Sequence, residues 1–235
     1  MFFELTHLNY ATIVLDVSAM VLAFGILRQT RIMRKSGLES DSLFFGMLIL
    51  TVVMAVSDIF GYLTEDKPGA VIINIQIISM TIFYIAFTFL SMLWFDYCTF
   101  RFRDKGRVKK IGMQPAFIPG VLTFGLVFLN QSTGIIFSVD EMGGYHREVL
   151  YIPMYIVIVA YLVTGFVYIA RYRTNDKKVL IPMWLYAMPI VISTVITFVV
   201  GEVSMAALGT AITIAFTHLG TMNEVAAISI KESVQ

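Results

Sequence analysis

Ionisable and amide side chains are costly inside long apolar stretches, so the few found there are the first candidates for chemistry. Asp16 lies within the apolar stretch Leu8–Leu27 and Asp58 within Leu43–Leu63. Asn74 and Gln76 open a third stretch, Thr194 and Thr197 lie late in a sixth, and Glu202 occupies the tight turn before a seventh. At a helical rise of about 1.5 Å per residue, Asp16 sits about 12 Å and Asp58 about 8 Å from the nearer end of its stretch. All these groups therefore gather toward one end of a bundle. An acidic pocket of that kind suits a cation, an amine or a proton. Tyr62 and Tyr155 are close enough to join it, which gives an expected ligand-binding set of Asp16, Asp58, Asn74, Gln76, Glu202, Tyr62 and Tyr155. Interhelical hydrogen bonding through the same side chains is the alternative reading.

Other chemistries lack their parts. His7, His146 and His218 are far apart in the chain, and no His-Glu-x-x-His motif, paired-aspartate protease motif or Gly-rich phosphate loop occurs. A retinal Schiff base requires a lysine in the seventh stretch, and Val203–Leu219 contains none. The single cysteine, Cys98, rules out an internal disulfide and a Cys-rich metal site. We therefore expect no catalytic residues, no metal and no cofactor, and no nucleic-acid partner.

The elements that must position these residues are membrane helices. Apolar residues make up 58% of the chain and charged residues 14%, with a mean hydropathy of +0.81. A soluble domain of 235 residues would have to expose much of that surface to water, whereas lipid accepts it. A span needs roughly 20 apolar residues. Leu8–Leu27, Leu43–Leu63, Ala70–Tyr97, Ile111–Leu129, Leu150–Ala170 and Val179–Val200 meet that requirement, and Val203–Leu219 is shorter and rich in small residues. Of the 17 Lys and Arg residues, all but Lys67, Arg147 and Lys231 fall in or beside the loops that follow the first, third and fifth stretches. Basic loops mark the cytoplasmic face. The expectation is an all-α membrane protein, a seven-transmembrane helix bundle with its N-terminus outside and its C-terminus cytoplasmic. Tyr10, Tyr62, Tyr151 and Tyr155 near the outer ends, and Tyr97, Tyr168 and Tyr172 near the inner ones, are placed where interfacial anchors belong.

The loops are short except for Asn130–Arg147 (NQSTGIIFSVDEMGGYHR), between the fourth and fifth stretches. The β-branched and aromatic run Ile135–Val139 and the turn signal Gly143-Gly144 predict a small β-hairpin roofing the outer mouth. Asn130-Gln131-Ser132 also fits the glycosylation triplet. Small residues Ala207, Gly209 and Ala211 allow close helix approach, either inside the bundle or at a dimer seam. The tail 221–235 is too short for a domain and is expected to continue the last helix as a cytoplasmic linker after a sensory domain spanning 1–220.

The N-outside plan, the short basic inner loops and the outer stretch Asn130-x-x-Thr133-x-x-x-Phe137-x-x-Asp140, followed by Gly144-Tyr145, resemble the seven-transmembrane N-terminal sensory domain of bacterial histidine kinases and GGDEF diguanylate cyclases. The resemblance implies a multi-pass receptor in the bacterial cell membrane that acts as a homodimer. It would bind a small-molecule or cationic ligand in its outer half and signal to a cytoplasmic kinase or cyclase output domain. Any enzymatic activity would reside in that output domain, carried on a longer chain or on a separate partner. The alternative class is a small seven-helix transporter or channel, which needs polar residues along its whole path. The inner halves of stretches one, two and four are nearly all apolar.

Overall fold

The computed structural model describes residues 7–35, 42–103, 113–172, 177–200 and 204–233. It contains seven helices: α1 (His7–Lys35), α2 (Ser42–Thr64), α3 (Ala70–Arg103), α4 (Met113–Thr133), α5 (Tyr151–Tyr172), α6 (Lys177–Val200) and α7 (Ala206–Ser233). Strands β1 (Phe137–Val139) and β2 (Tyr145–Arg147) form the expected hairpin between α4 and α5. Its strands are antiparallel, with Phe137 opposite Arg147, Ser138 opposite His146 and Val139 opposite Tyr145. The helices outrun several of the apolar stretches. In particular, α7 continues without interruption through most of the polar tail, to Ser233.

Leu8–Thr30, Leu43–Thr64, Ala70–Thr99 and Ala116–Thr133 are long and apolar enough to cross a bilayer, and Tyr151–Gly165, Met188–Val199 and Ala206–Leu219 form shorter apolar runs among the described residues. The chain is a membrane protein. Its apolar surface points outward as well as inward. On α1, Val14, Val17, Val21 and Phe24 are exposed at helical spacing, and on α4 so are Ile118, Val121, Leu122 and Leu129. Uncovered stripes of this size require lipid or another protein against them.

The principal contacts close six helices into a ring, in the order α1, α2, α3, α5, α6, α7 and back to α1. The fourth helix stands outside this ring against α3 and α5. Phe87, Leu90, Leu48, Ile158, Leu162 and Ile214 are fully buried within the ring and fill its centre. Small residues let α6 and α7 approach closely. A Cβ on Gly209 would collide with Ser193 Oγ and fall 2.7 Å from the Pro189 carbonyl oxygen. Ala207 and Ala211 are likewise fully buried, so the small face of α7 packs inside the bundle.

The outer helix α4 carries Pro119 in its interior, where proline has no N–H to donate, and the backbone beside it bonds a side chain of α5. The Tyr161 hydroxyl of α5 accepts from Gly120 N (3.0 Å) and donates to Ala116 O (2.6 Å). A neighbouring helix thus supplies hydrogen bonds to backbone groups next to the proline, as an apolar environment favours.

Candidate functional site

At the hairpin end of the ring lies a cavity of about 590 Å³. Its walls come from five of the six ring helices, from β2 and from the segment before α7: Asn9 of α1, Asp58 and Tyr62 of α2, Tyr84 of α3, Tyr155 of α5, Thr197 of α6, and Ser204 just before α7. Among the described residues, none of α4 lines it. Asn9 Nδ2 donates to Glu65 Oε2 (3.3 Å), holding the start of α1 to the end of α2 at the rim.

The hairpin covers this end because four side chains build and dock it. Asn130, at the end of α4 and 3% exposed, brackets the first strand. Its Oδ1 accepts from Ile136 N (2.7 Å) and Phe137 N (3.3 Å), and its Nδ2 donates to Phe137 O (2.9 Å). An amide buried and bonded in this way is closed to a glycan, which overturns the glycosylation reading of Asn130. Phe137 is buried between Tyr84 and Tyr145, with ring centroids 5.6 and 5.8 Å away. Asp140 closes the tip: its Oδ1 accepts from Met142 N (2.9 Å) and Gly144 N (2.8 Å), and its Oδ2 lies 3.0 Å from His146 Nε2. The bond to His146, then those from the backbone, hold the Asp140 carboxyl below its ordinary value. Tyr145 reaches down to share a 2.6 Å hydroxyl–hydroxyl bond with Tyr84, and burial holds its phenol well above the ordinary value, so it stays neutral.

Two further contacts fasten the hairpin. Asp66 N donates to Gly143 O (3.1 Å), where Asp66 has φ 56° and Gly143 φ +89°. A Cβ on Gly143 would meet Lys67 N at 2.5 Å, so the position requires glycine both for its backbone angle and for the close approach. On the other side, Arg147 donates from Nη1 to Phe198 O (3.3 Å) and from Nη2 to Thr197 O (3.4 Å), while its guanidinium lies 4.6 Å from the centre of the Tyr151 ring. A cation on the last carbonyls of α6 satisfies groups the helix cannot satisfy itself.

The expected ligand-binding residues divide in four ways. Asp58, Tyr62 and Tyr155 line the cavity. Asp16 and Gln76 are buried nearby without being among its lining residues. Asp16 of α1 interacts electrostatically with Asp58 and Tyr62, so Thr12 and Asp16, one turn apart, face Asp58 and Tyr62 across the α1–α2 contact. Gln76 is one turn from Met80, on the buried side of α3. Asn74, in contrast, is exposed on α3 and does not line the cavity. Glu202 lies outside the described residues. Thr194 bonds its own helix at Ile190 O (2.6 Å), whereas Thr197 lines the cavity and accepts from Met205 N (2.9 Å).

Several of these polar groups carry unused hydrogen-bonding capacity. Both carboxyl oxygens of Asp16, Oδ2 of Asp58 and the Gln76 amide are buried without a hydrogen-bond partner among the described residues. Orphaned buried polar groups cost about 1–3 kcal/mol each, so a set of them at one end of the bundle calls for an occupant or water. Among the described residues, no group of three His, Cys, Asp or Glu could hold a metal ion.

Sequence reasoning did not anticipate Tyr84, Tyr145, Arg147 or Ser204. It placed Tyr151 at the lipid interface, but that ring is 3% exposed and faces Tyr155 at 4.9 Å. Tyr97, expected as an inner anchor, is buried against Trp94. Tyr10 does remain exposed. The signal available for Tyr145 and Tyr84 was weak, because one lies in the hairpin strand and the other in the middle of α3, and a tyrosine in either place does not by itself announce a cavity wall. Comparison with known proteins yields no matching family model, no matching curated protein and no matching solved structure.

Proposed function

We propose that this chain is the membrane sensory module of a receptor, with seven crossings, its N-terminus and hairpin outside and the end of α7 in the cytoplasm. A small ligand enters the cavity beneath the hairpin and changes how the ring helices pack. The observation that carries this reading is the makeup of the cavity wall. Five of the six ring helices contribute to it, and Ser204, one of its buried wall residues, leads two residues later into the sixth, the 28-residue helix α7. At about 1.5 Å per residue that helix is about 42 Å long, enough to reach from the cavity past the far side of a bilayer. A ligand that prefers one packing of the wall will therefore bias the position of the tail, from which a kinase or cyclase output domain would read the signal.

The clustering of basic residues at the loops opposite the hairpin supports the stated orientation. The likeness of the hairpin motif to bacterial seven-helix sensory domains agrees with it, since Asn130, Phe137, Asp140 and Tyr145 are the residues that build and seat the roof. A transport pathway is disfavoured by the packed apolar centre of the ring beneath the cavity.

The test uses the chain in lipid nanodiscs with a spin label on Ser229→Cys. Small molecules are first selected by thermal stabilisation that disappears in a Ser204→Trp variant, whose bulk fills the cavity. Saturation with a selected compound should change the label's mobility or its distance to a second label on α1. A label unmoved by every cavity-binding compound, or compound flux into proteoliposomes, would refute the sensor reading.

A further inference from the structure

The cavity has a chemical polarity that narrows its occupant. Three carboxyl groups border it, on Asp58, Glu65 and Asp66, against the one guanidinium of Arg147. That guanidinium is already committed to the α6 carbonyls and the Tyr151 ring. In the wall, Asp58 is 2% exposed with Oδ2 lacking a partner among the described residues, and Ser204, 4% exposed, carries a hydroxyl that can donate to Asp58 and still accept. The two residues are neighbours. Around them stand five tyrosine rings, at Tyr62, Tyr84, Tyr145, Tyr151 and Tyr155. Aromatic faces carry partial negative charge and attract cations. The volume of about 590 Å³ is that of a site for a small organic molecule and far exceeds what a bare ion fills.

We propose that the cavity binds a small organic amine, its ammonium group on Asp58 Oδ2 and Ser204 Oγ and its apolar body against Tyr155, Phe83 and Met80. An ammonium carries three N–H donors and no acceptor, which suits a buried carboxylate oxygen and a neighbouring hydroxyl oxygen among aromatic rings. A carboxylate ligand would instead be set against Asp58, Glu65 and Asp66. A neutral alcohol offers a single donor and no charge for Asp58. This ligand class deepens the sensor reading, but it can stand or fall separately.

The experiment is calorimetric titration of the full chain in nanodiscs with matched probes. These are 2-phenylethylamine, hexylamine and cyclohexylamine, with 2-phenylethanol and phenylacetate as the neutral and anionic counterparts. At least one amine should bind saturably, at least about 10-fold tighter than 2-phenylethanol, because a charge-assisted hydrogen bond is worth about 1.5–3 kcal/mol. Phenylacetate should not bind. Asp58→Asn should weaken the amine by about 10- to 100-fold on the same grounds while leaving the alcohol unchanged. Equal binding of amine and alcohol, binding of the acid, an unaltered amine affinity in Asp58→Asn, or no saturable binding of any amine at millimolar concentration would each overturn the proposal. If Asp58→Asn does not fold, the amine-to-alcohol ratio on the unaltered chain decides. Amine binding that leaves the α7 label still would refute the sensor reading alone. Alcohol binding that moves the label would refute the amine alone.

Discussion

Replacing Asn130 by alanine should unfasten the hairpin while leaving the seven helices in place. The side chain makes two short bonds to the β1 backbone, from Ile136 N to Oδ1 (2.7 Å) and from Nδ2 to Phe137 O (2.9 Å), and a longer one from Phe137 N (3.3 Å). In Asn130→Ala the Ile136 N–H and the Phe137 carbonyl stay buried without partners. At about 1–2 kcal/mol for each of the two short bonds, with the longer one neglected, the local loss is about 2–4 kcal/mol. That corresponds to about a 30- to 1,000-fold rise in the opening equilibrium, since each factor of ten is about 1.4 kcal/mol. Hydrogen–deuterium exchange over residues 134–140, followed by mass spectrometry in nanodiscs, reads that equilibrium directly. Asn130→Asp keeps the acceptor and loses the donor, so it should fall between alanine and the unaltered chain. Peptides from the middle of α2 and α3 should exchange as before. Unchanged protection at 134–140 in the alanine variant would refute the bracket. A uniform rise across α2 and α3 would mean that the hairpin is not an independent local unit.

Three further outcomes follow from local geometry. The Asp140 carboxyl is held below its ordinary value of 3.8 by His146 and by backbone N–H groups. Its contribution to the hairpin tip is therefore present above that value and lost as pH falls through its lowered value, so exchange at Met142–Gly144 should rise at acid pH, and Asp140→Ala should remove that step. Tyr161→Phe removes the hydroxyl that links Gly120 N–H to the Ala116 carbonyl. Its thermal midpoint in nanodiscs should fall and Gly120 exchange should rise, whereas an unchanged midpoint would mean that α4 closes its own ladder. Gly209→Ala drives a methyl group into Ser193 Oγ and the Pro189 carbonyl. It should cost about 1–3 kcal/mol in a denaturant or thermal assay, and Ser193→Ala should restore only part of it, because the Pro189 contact is backbone.

The elements were legible in the sequence because they depend on short-range properties. Apolar length marked the helices, and Ile135–Val139 with Gly143-Gly144 marked the hairpin, since β-branched residues and glycine state their backbone preference locally. The polarity of one end of the bundle was also readable, from Asp58, Tyr62 and Tyr155 at matching depths. Which side of each helix faces the ring was not readable. In a membrane helix both faces are apolar, so the periodic contrast that orients a helix in a soluble protein fades. Asn74 and Gln76 show the consequence. They are two residues apart in one helix, yet one is exposed and the other is fully buried. Only packing revealed that α4 stands outside the ring, that Tyr161 of α5 bonds its backbone beside Pro119, and that Asn130 holds a strand. The cavity itself belongs to that second category. Asp58 announces a buried acid from its place in the chain, but the tyrosines and Ser204 that give it a use arrive from elements far apart in sequence, and only the tertiary structure brings them together.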